Sequence, residues 1–117
     1  MALIVNRGAA LSEEISRAGD HAVVELVGEL DLSTAGLLYQ HLAELNHEGV
    51  NHVAIDLAGL EFLGSVGISA LVSEHKRTTA MKGELILLYP QPQVRKVLEI
   101  AGLMDILKVY PKSSNEG

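Results

Sequence analysis

The sequence predicts an α/β domain built around one mixed β-sheet, and three observations point there. Residues 21–30, HAVVELVGEL, alternate between two faces with the period of a strand. Three later segments repeat apolar residues at helical spacing, and each is followed by a short apolar run of strand length. Residues 11–17, LSEEISR, are separated from the alternating run only by AGD, which makes the opening a hairpin. The resulting order is β-β-α-β-α-β-α-β. Strands joined through helices pair in parallel by right-handed crossovers, and the hairpin adds an antiparallel neighbour.

Each element has its own local reason. In residues 31–49, Ala35, Leu38, Leu42 and Leu45 form one stripe, Asp31 or Ser33 can cap the start, and Gly49 stands as the stop. Residues 53–57 suit a strand covered on both faces. Residues 66–80 read as a second helix, with Ile68, Leu71, Val72, His75 and Thr79 on its apolar stripe and Glu74 turned away. KGELILLY is a turn followed by another buried strand. In the third helix Pro92 fits the first position and Val94, Val97, Leu98 and Ala101 form the stripe. Gly102 suits a left-handed cap, with Leu103 against the last turn. A short strand at residues 107–110 closes the order.

The totals narrow the function. A chain of 117 residues holds about one domain. Residues 11–110 form it, between an N-terminal extension, 1–10, and a polar tail, 111–117. With one Phe, three Tyr and no Trp, the core is aliphatic. The net charge is −6 and the nine Lys and Arg are scattered, so no basic patch offers itself to nucleic acid. There is no cysteine, which excludes disulfides and thiol chemistry. The opening apolar run is too short for a signal peptide or a membrane span. The expectation is a soluble, cytoplasmic protein with no membrane partner.

The most informative stretch is FLGSVGI, residues 62–68. Ser65 is a poor candidate nucleophile: a nucleophile elbow needs glycine two places earlier, where Leu63 stands. No histidine is placed to serve as its base. By the topology His21 and His52 open strands at the opposite edge, while His41, His47 and His75 belong to helices. GSVG is far from a phosphate-binding loop and no lysine follows it. His47 and His52, five apart, are too few ligands for a metal site, and no cofactor is expected. The simplest reading makes Ser65 a helix N-cap. An exposed hydroxyl there also suits phosphorylation, because the helix N-terminus accommodates the added charge. The topology further places Asp31 and Ser33 beside Gly64, Ser65 and Val66, at the sheet edge where open α/β folds bind ligands.

Together, VGELD, IDLAGLEFLGSVGISAL and KGELILLYPQPQVRKVLEIAGL resemble the STAS domain, most closely that of bacterial anti-sigma factor antagonists. The likeness runs from about Leu11 to Val109. It implies a mixed sheet wound as a right-handed β-α superhelix, with the helices mainly on one face. It also implies a non-enzymatic partner switch. The antagonist binds an anti-sigma factor that is commonly a serine kinase, phosphorylation ends the binding, and a phosphatase restores it. The family's D-[ST]-[ST]-G motif carries the acceptor onto Ser65 and its glycine onto Gly67. Gly64 stands in place of the usual Asp, and Val66 in place of a second hydroxyl. The implied partner-binding set is Asp31, Ser33, Gly64, Ser65, Val66, Gly67 and Ile68, in a monomer or weak dimer. Other STAS chains sense nucleotides or other ligands, or serve membrane transporters, and those are the alternatives.

Overall fold

The computed structural model describes residues 2–5 and 11–111. Six strands form one sheet in the order β1-β2-β3-β4-β5-β6: Ala2–Val5, Leu11–Ala18, His21–Leu30, His52–Leu63, Glu84–Leu88 and Lys108–Tyr110. The pairs β1–β2 and β2–β3 are antiparallel, and β4, β5 and β6 add in parallel to β3. The helices α1 (Ala35–His47), α2 (Ser65–Ala80) and α3 (Pro92–Ile100) connect the parallel strands. The sheet is mixed, as the sequence predicts. Part of the N-terminal extension is itself a strand, β1, which the sequence reading passed over. The polar tail lies outside the described residues except for Pro111.

Burial shows which face the helices cover. In β3, Ala22, Val24 and Leu26 are buried while Val23, Glu25 and Val27 are exposed. Val53 and Ile55 of β4 stand level with Leu85 and Leu87 of β5 on the same buried face, which Leu57 continues. The two central strands are therefore covered on one face only, not on both. Their apolar runs mislead because the alternate positions, such as Ala54 and Ile86, are small or aliphatic and half-buried.

β4 is twelve residues long, roughly twice the length its sequence suggests. Its pairing with β3 shifts twice, since Glu25 pairs with Asp56 but Val27 with Gly59, and Gly28 with Leu60 but Glu29 with Phe62. Each shift places an extra residue in β4, as a β-bulge does. Its buried positions consequently run Val53, Ile55, Leu57, Leu60 and Leu63, with the spacing changing from two to three. That broken period is why residues 58–63 look like a loop in the sequence.

β5 accompanies β4 only as far as Asp56. Beyond that point β4 has β3 on one side, and two side chains from the start of α3 on the other. Gln91 Nε2 donates to the Ala58 carbonyl at 2.7 Å, and Gln93 Nε2 to the Glu61 carbonyl at 3.3 Å.

The helices keep most of the forecast. α1 buries Ala35, Leu38, Leu42 and Leu45. α3 begins with Pro92 and ends before Gly102, whose φ of +77° is the left-handed cap, although Ala101 is exposed. α2 departs from it. Its buried stripe is Gly67, Ala70, Leu71, Glu74 and Thr78, rotated by about one residue from the expected set. Glu74 is fully buried, while His75 is only partly so and Thr79 is exposed. The carboxylate is accommodated because Asn46 of α1 donates to its Oε2 at 3.0 Å, with Arg77 Nη1 3.5 Å from Oε1. Burial pushes the Glu74 carboxyl up to about 7, against the smaller opposing effects of the Asn46 hydrogen bond and Arg77.

Candidate functional site: the rim shared by two loops

Parallel pairing makes β3 and β4 end at the same edge, and the final register pair is Leu30 with Leu63. The chain then turns into α1 on one side and α2 on the other. The Gly64 N–H donates to the Leu30 carbonyl at 2.9 Å, so the two turns are hydrogen-bonded neighbours. Asp31, Ser33, Gly64, Ser65 and Val66 are thus brought to one rim, as the topology requires.

Ser65 is exposed and is the first residue of α2, not its cap. The N-cap is Gly64, in extended conformation (φ −91°, ψ 177°), and its carbonyl accepts the first helical bond from Ile68 N–H at 3.0 Å. The N–H groups of Ser65, Val66 and Gly67 precede that bond and face the rim without helical acceptors. Gly64 requires no left-handed backbone. A Cβ there would approach the Phe62 ring at 3.3 Å, so the aromatic edge occupies the space an acidic side chain would enter.

Gly67 lies beneath the surface. A Cβ at this position would fall 2.7 Å from Leu63 Cδ1 and 2.8 Å from Leu30 Cγ. Only glycine lets the first turn of α2 sit directly on the ends of both strands. Gly67 therefore supports the rim without lying on it, and Ile68 is half-buried against the core.

Asp31 organises the other half. Its Oδ1 accepts from Ser33 N–H at 2.9 Å and Ser33 Oγ at 2.8 Å. Its carbonyl accepts from the N–H groups of Thr34 and Ala35 at 3.2 and 2.9 Å. The carboxylate closes the turn ahead of α1, whose N-cap is Thr34, so neither Asp31 nor Ser33 is the cap itself. Thr34 Oγ1 in turn donates to the Glu29 carbonyl and accepts from Asp31 N–H, both at 2.9 Å. The Ser33 hydroxyl beside Asp31 holds its carboxyl below the usual range, which keeps it anionic at neutral pH.

Two apolar side chains at the rim escaped the sequence reading. Leu32 is 82% exposed and Phe62 49% exposed, beside Asp31 and Gly64 respectively. Each follows a strand-end acid, Asp31 or Glu61, but a single exposed apolar residue is ordinary without knowledge of its neighbours. Glu29 and Glu61, both exposed, complete a rim that is apolar at its seam and acidic around it.

The histidines lie elsewhere. His21 and His52 open β3 and β4 at the opposite edge, and His41 of α1 hydrogen-bonds Glu13 at 2.9 Å. No helix among the described residues is long and apolar enough to cross a membrane.

A family model described as the STAS domain matches residues 13–115. The chain belongs to the STAS domain family. Among curated relatives, the anti-sigma F factor antagonist of Lysinibacillus sphaericus is 32% identical over 82 residues, 69% of this chain and 70% of that one. Among solved structures, an anti-sigma factor antagonist from Mycobacterium paratuberculosis superposes with a TM-score of 0.78 at 26% identity, covering 90% of this chain and 89% of that one. SpoIIAA, an anti-sigma factor antagonist, matches in its unphosphorylated form with a TM-score of 0.76 at 24% identity, covering 89% of this chain and 90% of that one. Its phosphorylated form matches at 0.69 and 23%, covering 89% and 94%. At those identities the SpoIIAA likeness speaks for the fold alone.

Proposed function

We infer that this STAS protein is an anti-sigma factor antagonist that docks through the β3–β4 rim and is released by phosphorylation of Ser65. The observation that carries the reading is the exposed Ser65 hydroxyl at the first residue of α2, directly after Gly64, whose N–H donates to the Leu30 carbonyl at the end of β3. The names of the relatives supply the class of partner, an anti-sigma factor. A serine kinase, which is commonly the anti-sigma factor itself, and an opposing phosphatase complete the cycle.

Leu32, Phe62 and Val66 offer apolar contact, while Asp31, Glu29 and Glu61 favour a partner with basic residues around its docking groove. A phosphate on Ser65 would bring about −1.5 to −2 charges to the seam. Converting a complex from 99% bound to 99% free requires about 5.5 kcal/mol of differential binding. The α2 N-terminus contributes at most about 2 kcal/mol, and it does so by stabilising the phosphorylated free protein. Desolvation of the dianion, steric overlap and repulsion from the Asp31 carboxylate supply the rest at the interface.

The test pairs two measurements. Intact mass after incubation with the anti-sigma kinase should show one phosphate on the wild type and none on Ser65→Ala. Ser65→Glu should bind the anti-sigma factor at least tenfold more weakly. Undiminished binding by Ser65→Glu, with phosphate still added to Ser65→Ala, would refute the assignment.

A further inference from the structure

The edge opposite the rim carries a second cluster of chemically capable side chains. His21 and His52 are register partners at the first residues of β3 and β4, so their Cα atoms stand side by side on adjacent parallel strands. Their imidazoles stack, with ring centroids 4.4 Å apart and planes inclined by 18°. Asp20, in the turn before β3, places Oδ1 2.7 Å from His21 Nδ1. Asn51 Oδ1 lies 2.8 Å from His52 Nδ1. In a neutral ring, an oxygen facing Nδ1 fixes the proton there and leaves Nε2 with its lone pair, the tautomer in which histidine ligates metals.

The scaffold beneath is rigid. The Asp20 carbonyl accepts from both Asn51 N–H and His52 N–H at 3.1 Å, which ties the hairpin turn to the start of β4. Asp20, His21 and His52 each bring one ligand atom within 4.8 Å of the other two. Two nitrogens on one tetrahedral zinc ion stand about 3.3 Å apart. The stacked rings, with centroids 4.4 Å apart, must tilt together by about 1 Å to share one ion. Glu84, opposite His52 on β5, borders the same shallow depression of about 200 Å³ and is held by Lys108 at 2.9 Å.

We propose that His21 and His52 bind one divalent transition-metal ion through Nε2, with the Asp20 carboxylate holding the His21 Nδ1 proton and water filling the remaining positions. Paired imidazoles select zinc, copper or nickel over magnesium or calcium. The ion would bridge the N-terminal ends of the two strands whose other ends form the docking rim. Because it binds the folded chain, where the histidines are paired, it would raise the melting temperature by mass action.

The experiment titrates the metal-free full chain with Zn²⁺ alone, reading binding by calorimetry and histidine ring signals by NMR. Saturable one-to-one binding is expected, with shifts in the His21 and His52 rings. His21→Gln and His52→Gln should each weaken binding by at least about tenfold, Asp20→Asn by about tenfold, and His47→Gln not at all. Absence of saturable binding up to millimolar Zn²⁺, or affinity unchanged in both His21→Gln and His52→Gln, would overturn the proposal. If either variant fails to fold, the wild-type spectra decide: shifts confined to His41, His47 and His75 refute it.

Discussion

Replacing Glu74 with Gln should make the protein more stable above neutral pH while leaving it nearly unchanged in mild acid. Glu74 is fully buried between α1 and α2, and its Oε1 has no hydrogen-bond partner. Its carboxyl is raised from 4.5 to about 7, so the folded state holds a proton that the unfolded chain releases. The contribution of this proton is fully present below pH 4.5 and is lost as pH rises through 7. A shift of this size corresponds to about 3 kcal/mol, at 1.36 kcal/mol per pKa unit. Gln keeps an oxygen for the Asn46 amide and carries no charge to desolvate. Urea unfolding of both proteins at half-unit intervals from pH 4 to pH 8.5 measures the difference directly. The two should agree near pH 4, and by pH 8 the variant should lead by about 3 kcal/mol, or on the order of 10 °C in Tm. Parallel stability curves across this range would show that Glu74 titrates normally, and the packing argument for α2 would fail with it.

Gly67→Ala should destabilise by about 1–3 kcal/mol, because the methyl would overlap Leu30 and Leu63 under the first turn of α2; a thermal melt within 1 °C of wild type would contradict it. Leu32→Asp should leave folding within about 0.5 kcal/mol, since the side chain is almost wholly in solvent. It should also cut affinity for the anti-sigma factor at least tenfold, measured by calorimetry, as expected where an exposed apolar anchor is lost.

How much of this could be read in advance depended on whether local pattern and tertiary environment agreed. α1 and α3 were legible because Leu38, Leu42, Val94 and Leu98 fall on faces the core buries. α2 was placed correctly but turned by one residue, because a glutamate in the core contradicts hydropathy unless its partner, Asn46, is known to face it. β4 lost its second half to two bulges that change the apolar spacing from two to three. β1 was missed because four apolar residues before a polar stretch have no alternation to distinguish a strand. At the rim, the adjacency of Asp31 and Ser65 followed from topology alone. Leu32 and Phe62 did not, since nothing in their local sequence shows that both turns expose them at one seam.

The two glutamine amides that begin α3 have a consequence for how anything can attach to this molecule. Past Asp56 the outer border of β4 would otherwise present bare carbonyls, an invitation to any extended peptide to lengthen the sheet. Gln91 and Gln93 occupy the acceptors at Ala58 and Glu61 from the side. With that flank sealed, a visitor at this border meets shape and charge at the tip instead of a free strand edge.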